Sequence, residues 1–338
     1  SPVAGKRGGV GLTGVTFGNL GNVNLKPERS RELEVGFDAS LLKDRVSVEF
    51  TYFNKSTKDA LIQRNVDPSA GASDVQFFNL GRVKNYGAEL AINTRVVDTR
   101  NFAWDLSLAG SVYNNDLAEI GQGVSDIVFG FGLQRHVQGY PLGGYWARPI
   151  TGFADANGDG IISPDEVTVG DDAVFRGRAL PNKEASLNSG IALFNNRIRI
   201  GTQFDYRGGN YIDNAIESFR CTPVLNCRGL VDRTAPLAEQ ARAQAVLNEA
   251  TEWGYFEPGW FIKLRELSLT FNAPDSWARR VRASRLSVTL AGRNLWTIDD
   301  YSGVDPEINA FGQDNFATSD FESQPPVQYY TVRVNVGF

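Results

Sequence analysis

The stretch Val327-Gln-Tyr-Tyr-Thr-Val-Arg-Val-Asn-Val-Gly-Phe338 alternates without a break. Successive side chains of an extended strand point to opposite faces. Tyr330, Val332, Val334, Val336 and Phe338 therefore share one face, and Thr331, Arg333, Asn335 and Gly337 take the other. Chain ends fray unless they are tied down, so a pattern kept to the last residue predicts a strand paired with a neighbour.

The same period of two recurs upstream, and it recurs in pairs. Leu33, Val35, Phe37, Ala39 and Leu41 are followed after Lys43-Asp44 by Val46, Val48, Phe50 and Tyr52. Tyr86, Ala88, Leu90 and Ile92 are followed by Phe102, Trp104, Leu106, Leu108 and Val112. Leu187, Ile191 and Leu193 turn through Asn195-Asn196, a good tight-turn pair, into Ile198, Ile200, Thr202, Phe204 and Tyr206. Leu267, Leu269 and Phe271, then Leu286, Val288 and Leu290, precede the terminal strand. One face of each run is free of charge, while the other carries Glu89, Arg95, Asp105, Arg199, Asp205, Glu266, Arg285 and Arg333.

A soluble sandwich shows the same alternation, so the connections must decide. They alternate strictly, short at 42–44, 97–101, 195–196 and 273–283, long at 56–81, 115–183, 209–259 and 296–328. Outer-membrane barrels have short periplasmic turns and long outer loops, whereas a sandwich has no reason to sort its loops by end. The fold class is therefore all-β, an antiparallel transmembrane β-barrel with long extracellular loops and with Phe338 on the periplasmic side. Nine strands are counted, and single-chain bacterial barrels use even numbers, so at least one strand is expected outside the sequence. Ser1 in first place and the lack of any Met agree with that. Residues 1–30 are expected to be the end of an extracellular loop from that missing strand, made flexible by Gly8, Gly9, Gly11, Gly14, Gly18 and Gly21, and 31–338 to be barrel.

Composition closes off other classes. The 34 basic and 39 acidic residues leave a net charge of −5 with no basic block, so nucleic acid is not an expected partner. No apolar run reaches the roughly 20 residues of a membrane helix, a test that β-strands escape. Cys221 and Cys227 lack metal-site spacing, and one histidine, His136, cannot complete a zinc site with them. A local disulfide is expected, with two loop thiols as the alternative.

Six short stretches together resemble the SusC/RagA-type TonB-linked outer-membrane transporters, over roughly residues 20 to 338. They are Asn24-Leu-Lys-Pro-Glu28, Gly139-Tyr-Pro-Leu-Gly143, Asp155-Ala-Asn-Gly-Asp-Gly160, Phe261-Ile-Lys-Leu-Arg-Glu-Leu267, Arg293-Asn-Leu295 with Tyr301-Ser-Gly-Val-Asp-Pro-Glu307, and the aromatic terminus. The resemblance implies the C-terminal part of a 22-stranded barrel in the bacterial outer membrane. It also implies a plug domain, energy from TonB, and a SusD-like surface lipoprotein that captures glycans or peptides. The strand Tyr330–Phe338 then resembles the signal that marks a barrel for assembly, and it would close the barrel by pairing with the first strand.

The most specific chemical motif is Asp155-Ala-Asn-Gly-Asp-Gly-Ile-Ile-Ser-Pro-Asp-Glu166, which fits the calcium-loop pattern at every position. Asp155, Asn157 and Asp159 would supply oxygens, Ile161 its carbonyl, and Glu166 would close the site with both carboxylate oxygens. The flanks are not helical, so a structural calcium ion in an outer loop is expected, against a plain Asp/Gly turn. Tyr140, Tyr145, Trp146, Trp253, Tyr255 and Trp260 are candidate ligand contacts, because aromatic faces stack on sugars, against a packing role within the loops. Pro236 to Thr251 carries a short helical pattern. No nucleophile stands beside a base, and acids such as Asp299-Asp300 suit a solvated loop, so an enzyme is not expected. Two other classes stay open on the residues alone, a passive porin-like pore and a calcium-dependent soluble adhesion module.

Overall fold

The computed structural model describes residues 2–7, 10–15, 21–65, 75–79, 81–121, 124–312 and 316–338, and for 2–15, 62–65 and 75 the backbone alone. Nine strands form one antiparallel sheet: β1 Arg29–Leu41, β2 Val46–Lys58, β3 Arg82–Asp98, β4 Phe102–Glu119, β5 Lys183–Leu193, β6 Ile198–Gly208, β7 Phe261–Asn272, β8 Arg285–Asp299 and β9 Tyr329–Gly337. Each pairs with its neighbours in sequence, so the sheet is an unbroken meander with β1 and β9 as its two edges.

The register turns each strand's alternation into a property of the whole surface. Ala39, Val48, Ile92, Leu108, Leu187 and Phe204 lie directly opposite one another across six strands. Trp104, Ile191, Ile200, Leu269, Leu290 and Val332 make a second apolar row. The reverse face carries the row Ser47, Asn93, Ser107, Asn188, Gln203, Glu266 and Arg293. The apolar face is uncovered: Leu33, Phe37, Leu90, Leu269, Leu290 and Val334 are all exposed. Such an area far exceeds the isolated apolar patches of water-soluble proteins.

Short connections at one end follow from residues that tolerate a left-handed backbone. Lys43 and Asp44 have φ of 58° and 64°, and Asn195 and Asn196 have 55° and 63°, a region that Asn and Asp enter more readily than other side chains. A six-residue helix, α4 Asp275–Arg280, fills the longest of the short connections.

The long connections are folded, and the buried hydrophobic clusters lie in them and at the adjoining strand ends. One contains a four-stranded sheet built from Ile127–Phe129, Gln134–His136, Gly144–Ala147 and Val174–Gly177, with the pair Ile150–Phe153 and Val167–Val169 inserted before its last strand. The next pairs Tyr211–Asp213 with Phe256–Pro258 and holds three helices, α1 Ala215–Cys221, α2 Arg228–Val231 and α3 Leu237–Asn248. The helix expected over 236–251 is α3.

Two expectations change. Pro2–Arg7 and Val10–Val15 form an antiparallel hairpin within the stretch expected to be a flexible loop tail, of which Gly8, Gly9 and Gly18 lie outside the described residues. The second is in β7, where strict alternation fails. Gln203 faces Glu266 while the next residue, Phe204, faces Leu264, which leaves Arg265 as an extra residue in a bulge. A bulge of this kind re-aims a side chain, and it sets Lys263, Arg265 and Glu266 all on the polar face.

Candidate functional site

Two regions concentrate chemistry, one on the polar face of the sheet and one in the long connections. The first is an ion-pair cluster that ties the connection 300–328 to the sheet. Lys263 is buried at 3% exposure and donates to Asp305 Oδ1 and Oδ2 at 2.6 and 2.8 Å and to Glu307 Oε2 at 3.0 Å. Arg265 donates through Nη1 and Nη2 to the two oxygens of Glu307, and through Nε to Asp205 Oδ2 at 2.8 Å. Arg207 adds a longer contact to Glu307 at 3.7 Å. Burial pushes the Glu307 carboxyl up, but hydrogen bonds from Arg265 and Lys263 outweigh it and hold the group at about 2. The two basic side chains belong to the bulged segment and the two loop acids to Asp305-Pro-Glu307.

The second region is the folded core of the long connections. Cys221 and Cys227 are joined by a disulfide and packed with Ala243, Val246 and Tyr255. Asp213 sits at 1% exposure and accepts from Ser319 Oγ at 2.9 Å, and its burial, aided by the charge of Glu252, pushes its carboxyl up to about 7. Tyr301 donates to Asp320 in the same core. His136 is fully buried, its Nδ1 accepts from the Gly143 N–H at 3.1 Å, and burial pushes it down to about 4. It is therefore a neutral packing residue between Phe129 and Phe316.

The six candidate aromatics divide. Tyr145 has no exposed surface, stacks on Phe256 at 4.6 Å and bonds Thr318. Tyr255 is buried beside the disulfide and Trp146 is buried against Tyr140 and Phe175. These three are loop packing and have no free face for a ligand, because the connections fold on themselves and use their largest side chains as core. Tyr140 is exposed, and Trp260 donates to Asp300 Oδ2 at 3.0 Å. Trp253 lines a cavity.

The loop 155–166 winds its acidic side chains inward. Asp155 accepts from the N–H groups of Gly158, Asp159 and Gly160, Asp159 accepts from Ile161, and Glu166 accepts from Ala156 and Ser163. Helix α3 grips the loop from behind: Gln240 Oε1 accepts from the Ile162 N–H at 2.9 Å, and Gln244 Nε2 donates to the Ile162 carbonyl at 3.0 Å. Among the described residues no three His, Cys, Asp or Glu side chains are grouped as a metal cluster.

A meander with one bare apolar face, one polar face and folded loops at one end is the wall of a membrane β-barrel. The chain belongs to the TonB dependent receptor-like β-barrel family, whose model matches residues 6–295. It is 25% identical to TonB-dependent receptor P3 and 28% identical to TonB-dependent receptor P26, both of Formosa agariphila, over 97% and 98% of its length. It is 23% identical to the TonB-dependent receptor SusC of Bacteroides thetaiotaomicron over 90%. The chain spans about a third of the length of these relatives, 36%, 36% and 30% respectively. Among solved structures, the RagAB peptide importer in its closed-closed state superposes with a TM-score of 0.76 at 17% identity, covering 99% of this chain and 38% of that one.

Proposed function

We infer that the chain is the C-terminal wall and outer loops of a TonB-energised importer that carries oligosaccharides or peptides across the bacterial outer membrane. The observation that carries this is the register: two uncovered rows of apolar side chains together cross all nine strands, with a wholly polar row behind seven of them. A lipid contact on one side and a lumen on the other explain both rows. The long connections face the cell exterior, where a SusD-like lipoprotein caps them, and β9 ends on the periplasmic side with Phe338 in the lower aromatic girdle. The plug, the TonB-contacting segment and the remaining strands belong to the rest of the whole protein. The likeness to SusC and to the fold of the RagAB importer supports this assembly.

Calcium in the 155–166 loop is part of the same reading. Asp155, Asn157, Asp159, the Ile161 carbonyl and Glu166 form a hard-oxygen donor set at calcium spacing, and the backbone bonds to Asp155 and Glu166 already close the loop.

Uptake of labelled oligosaccharides and peptides by cells expressing the full-length protein tests the function. Import should cease when TonB is deleted or the proton-motive force is collapsed. Uptake that persists in de-energised cells would make the protein a passive pore.

A further inference from the structure

Between Ile150–Phe153, helix α3 and residues 253–258 lies an open cavity of about 670 Å³. Two arginines line it. The Arg176 guanidinium carbon lies 4.5 Å from the ring centre of Tyr211 and 5.1 Å from that of Trp253, so two aromatic faces hold it in place. Gly177 makes this possible: its φ is 154°, and a Cβ there would stand 2.3 Å from the Tyr211 ring. Arg242 crosses the cavity wall over Tyr255 at 5.9 Å, with Nη1 donating to the Gly254 carbonyl at 3.1 Å.

What is missing is an acid. Arg148, Arg178, Arg207, Arg220 and Arg228 of the same loop region each pair with a carboxylate. Among the described residues neither Arg176 nor Arg242 does. The Arg176 Nε–H is buried without a partner and out of reach of the cavity, and Nη2 makes one long bond, 3.4 Å to the Phe256 carbonyl, so the charge is poorly compensated within the chain. The acid in the cavity wall, Glu257, is committed elsewhere, to Asn214 and to the backbone and hydroxyl of Ser302.

We propose that this cavity binds the carboxylate of an acidic sugar. The proposal rests on the importer reading and narrows its cargo. A guanidinium fork matches a carboxylate through two parallel bonds. The volume falls within the range of small-molecule sites, about 300 to 1,000 Å³, enough for one or two sugar rings. Ile150, Phe153, Ala238 and Pro258 give an apolar floor for the C–H face of a pyranose. The polar side chains on offer are the N–H groups of the two guanidiniums not already given to the Phe256 and Gly254 carbonyls, and the Thr151 hydroxyl oxygen, whose proton goes to the Thr168 carbonyl. An extended peptide instead pairs along an open row of backbone donors and acceptors.

Calorimetry on the purified full-length protein tests this with digalacturonate, diglucuronate and an acidic dipeptide, and the methyl ester of each. At least one sugar acid should bind, and its ester should bind tenfold or more weakly. Arg176→Gln and Arg242→Gln should each weaken the acid tenfold or more, with the barrel's heat-modifiable gel shift unchanged, while Arg242→Lys retains part of the affinity. The proposal is overturned if neither sugar acid binds, if ester and acid bind alike, if the glutamine variants bind as the parent does, or if the free-acid selectivity belongs to dipeptides and not to sugars. Calorimetry needs neither TonB nor a membrane. Absent binding with energised uptake intact therefore refutes this proposal alone, and binding without energised uptake refutes the importer reading alone.

Discussion

Arg265 holds Glu307 by both oxygens, with Nη1 2.7 Å from Oε2 and Nη2 2.6 Å from Oε1. The arginine is the extra residue of a bulge in the wall, and the glutamate belongs to a connection with no helix or strand of its own among its described residues. A fork-to-fork pair of this kind fixes direction as well as distance, so it acts as a latch on the loop.

Removing the latch should free the loop without unfolding the sheet. Glu307→Gln removes the charge behind three charge-assisted bonds, two from Arg265 and one from Lys263, worth about 1.5 to 3 kcal/mol each before Asp305 and Asp205 compensate. Amide exchange over 301–312 should accelerate by roughly tenfold or more, while β7 and β8 keep their protection. Glu307 is held at about 2, below the ordinary glutamate value of about 4.3. A depressed value gives stability that is complete above the unfolded value and lost only as pH falls through the folded one. The latch should therefore hold at pH 4.5. Loss of loop protection already at pH 5 would contradict the assignment.

The two faces of the sheet should answer differently to the same substitution. Leu90→Arg and Val334→Arg place a charge on the apolar rows at a cost of about 2 to 4 kcal/mol near the midplane of a bilayer. Asn93→Arg points to the polar row, opposite Ser107, and should be tolerated. Heat-modifiable mobility of the assembled barrel on gels reports the difference. Equal tolerance at all three positions would remove the membrane assignment.

Glu166→Gln should abolish calcium binding in the 155–166 loop, whereas Asp165→Asn, outside the donor set, should leave it. With three carboxylates and one neutral amide, the Kd is expected on the order of 10⁻⁴ to 10⁻³ M. No heat of binding at millimolar calcium would reduce the segment to a turn.

The disulfide should matter locally. Cys221 and Cys227 close a six-residue separation, for which chain entropy gives about 2 kcal/mol. In the Cys221→Ser/Cys227→Ser double variant, proteolysis should open the α1–α3 region first, with the melting of the sheet unchanged. A sheet that melts several degrees lower would show that the loop core and the wall are one cooperative unit.

All nine strands were legible because each is read by its own alternation, and the sorting of connections by length gave the barrel. Asp205 and Glu266 could be placed on the polar face by counting in twos. Lys263 and Arg265 could not, since Arg265 is itself the unpaired residue and shifts the count for what precedes it, and nothing local in Lys263-Leu-Arg-Glu-Leu267 marks a bulge. The loops were less legible still. Whether Tyr145 stacks on Phe256 or faces a ligand depends on segments about a hundred residues apart meeting in space, and Arg176 stands out only once its neighbours are seen to lack a carboxylate for it.

The bulge in β7 also bears on how this stretch tolerates gain and loss of codons. A deletion within a strand normally sends every residue on one side of it to the wrong face. Losing Arg265 would not, because Leu264 and Leu267 already face the apolar side, Lys263 and Glu266 the polar side, and Gln203 and Phe204 already pair as though no residue lay between their partners. Opposite it on β8, Asn294 and Leu295 are outside the ladder already. A single-codon deletion here leaves a wall with the same inside and outside, and a loop held by Lys263 without the two-pronged grip of the arginine.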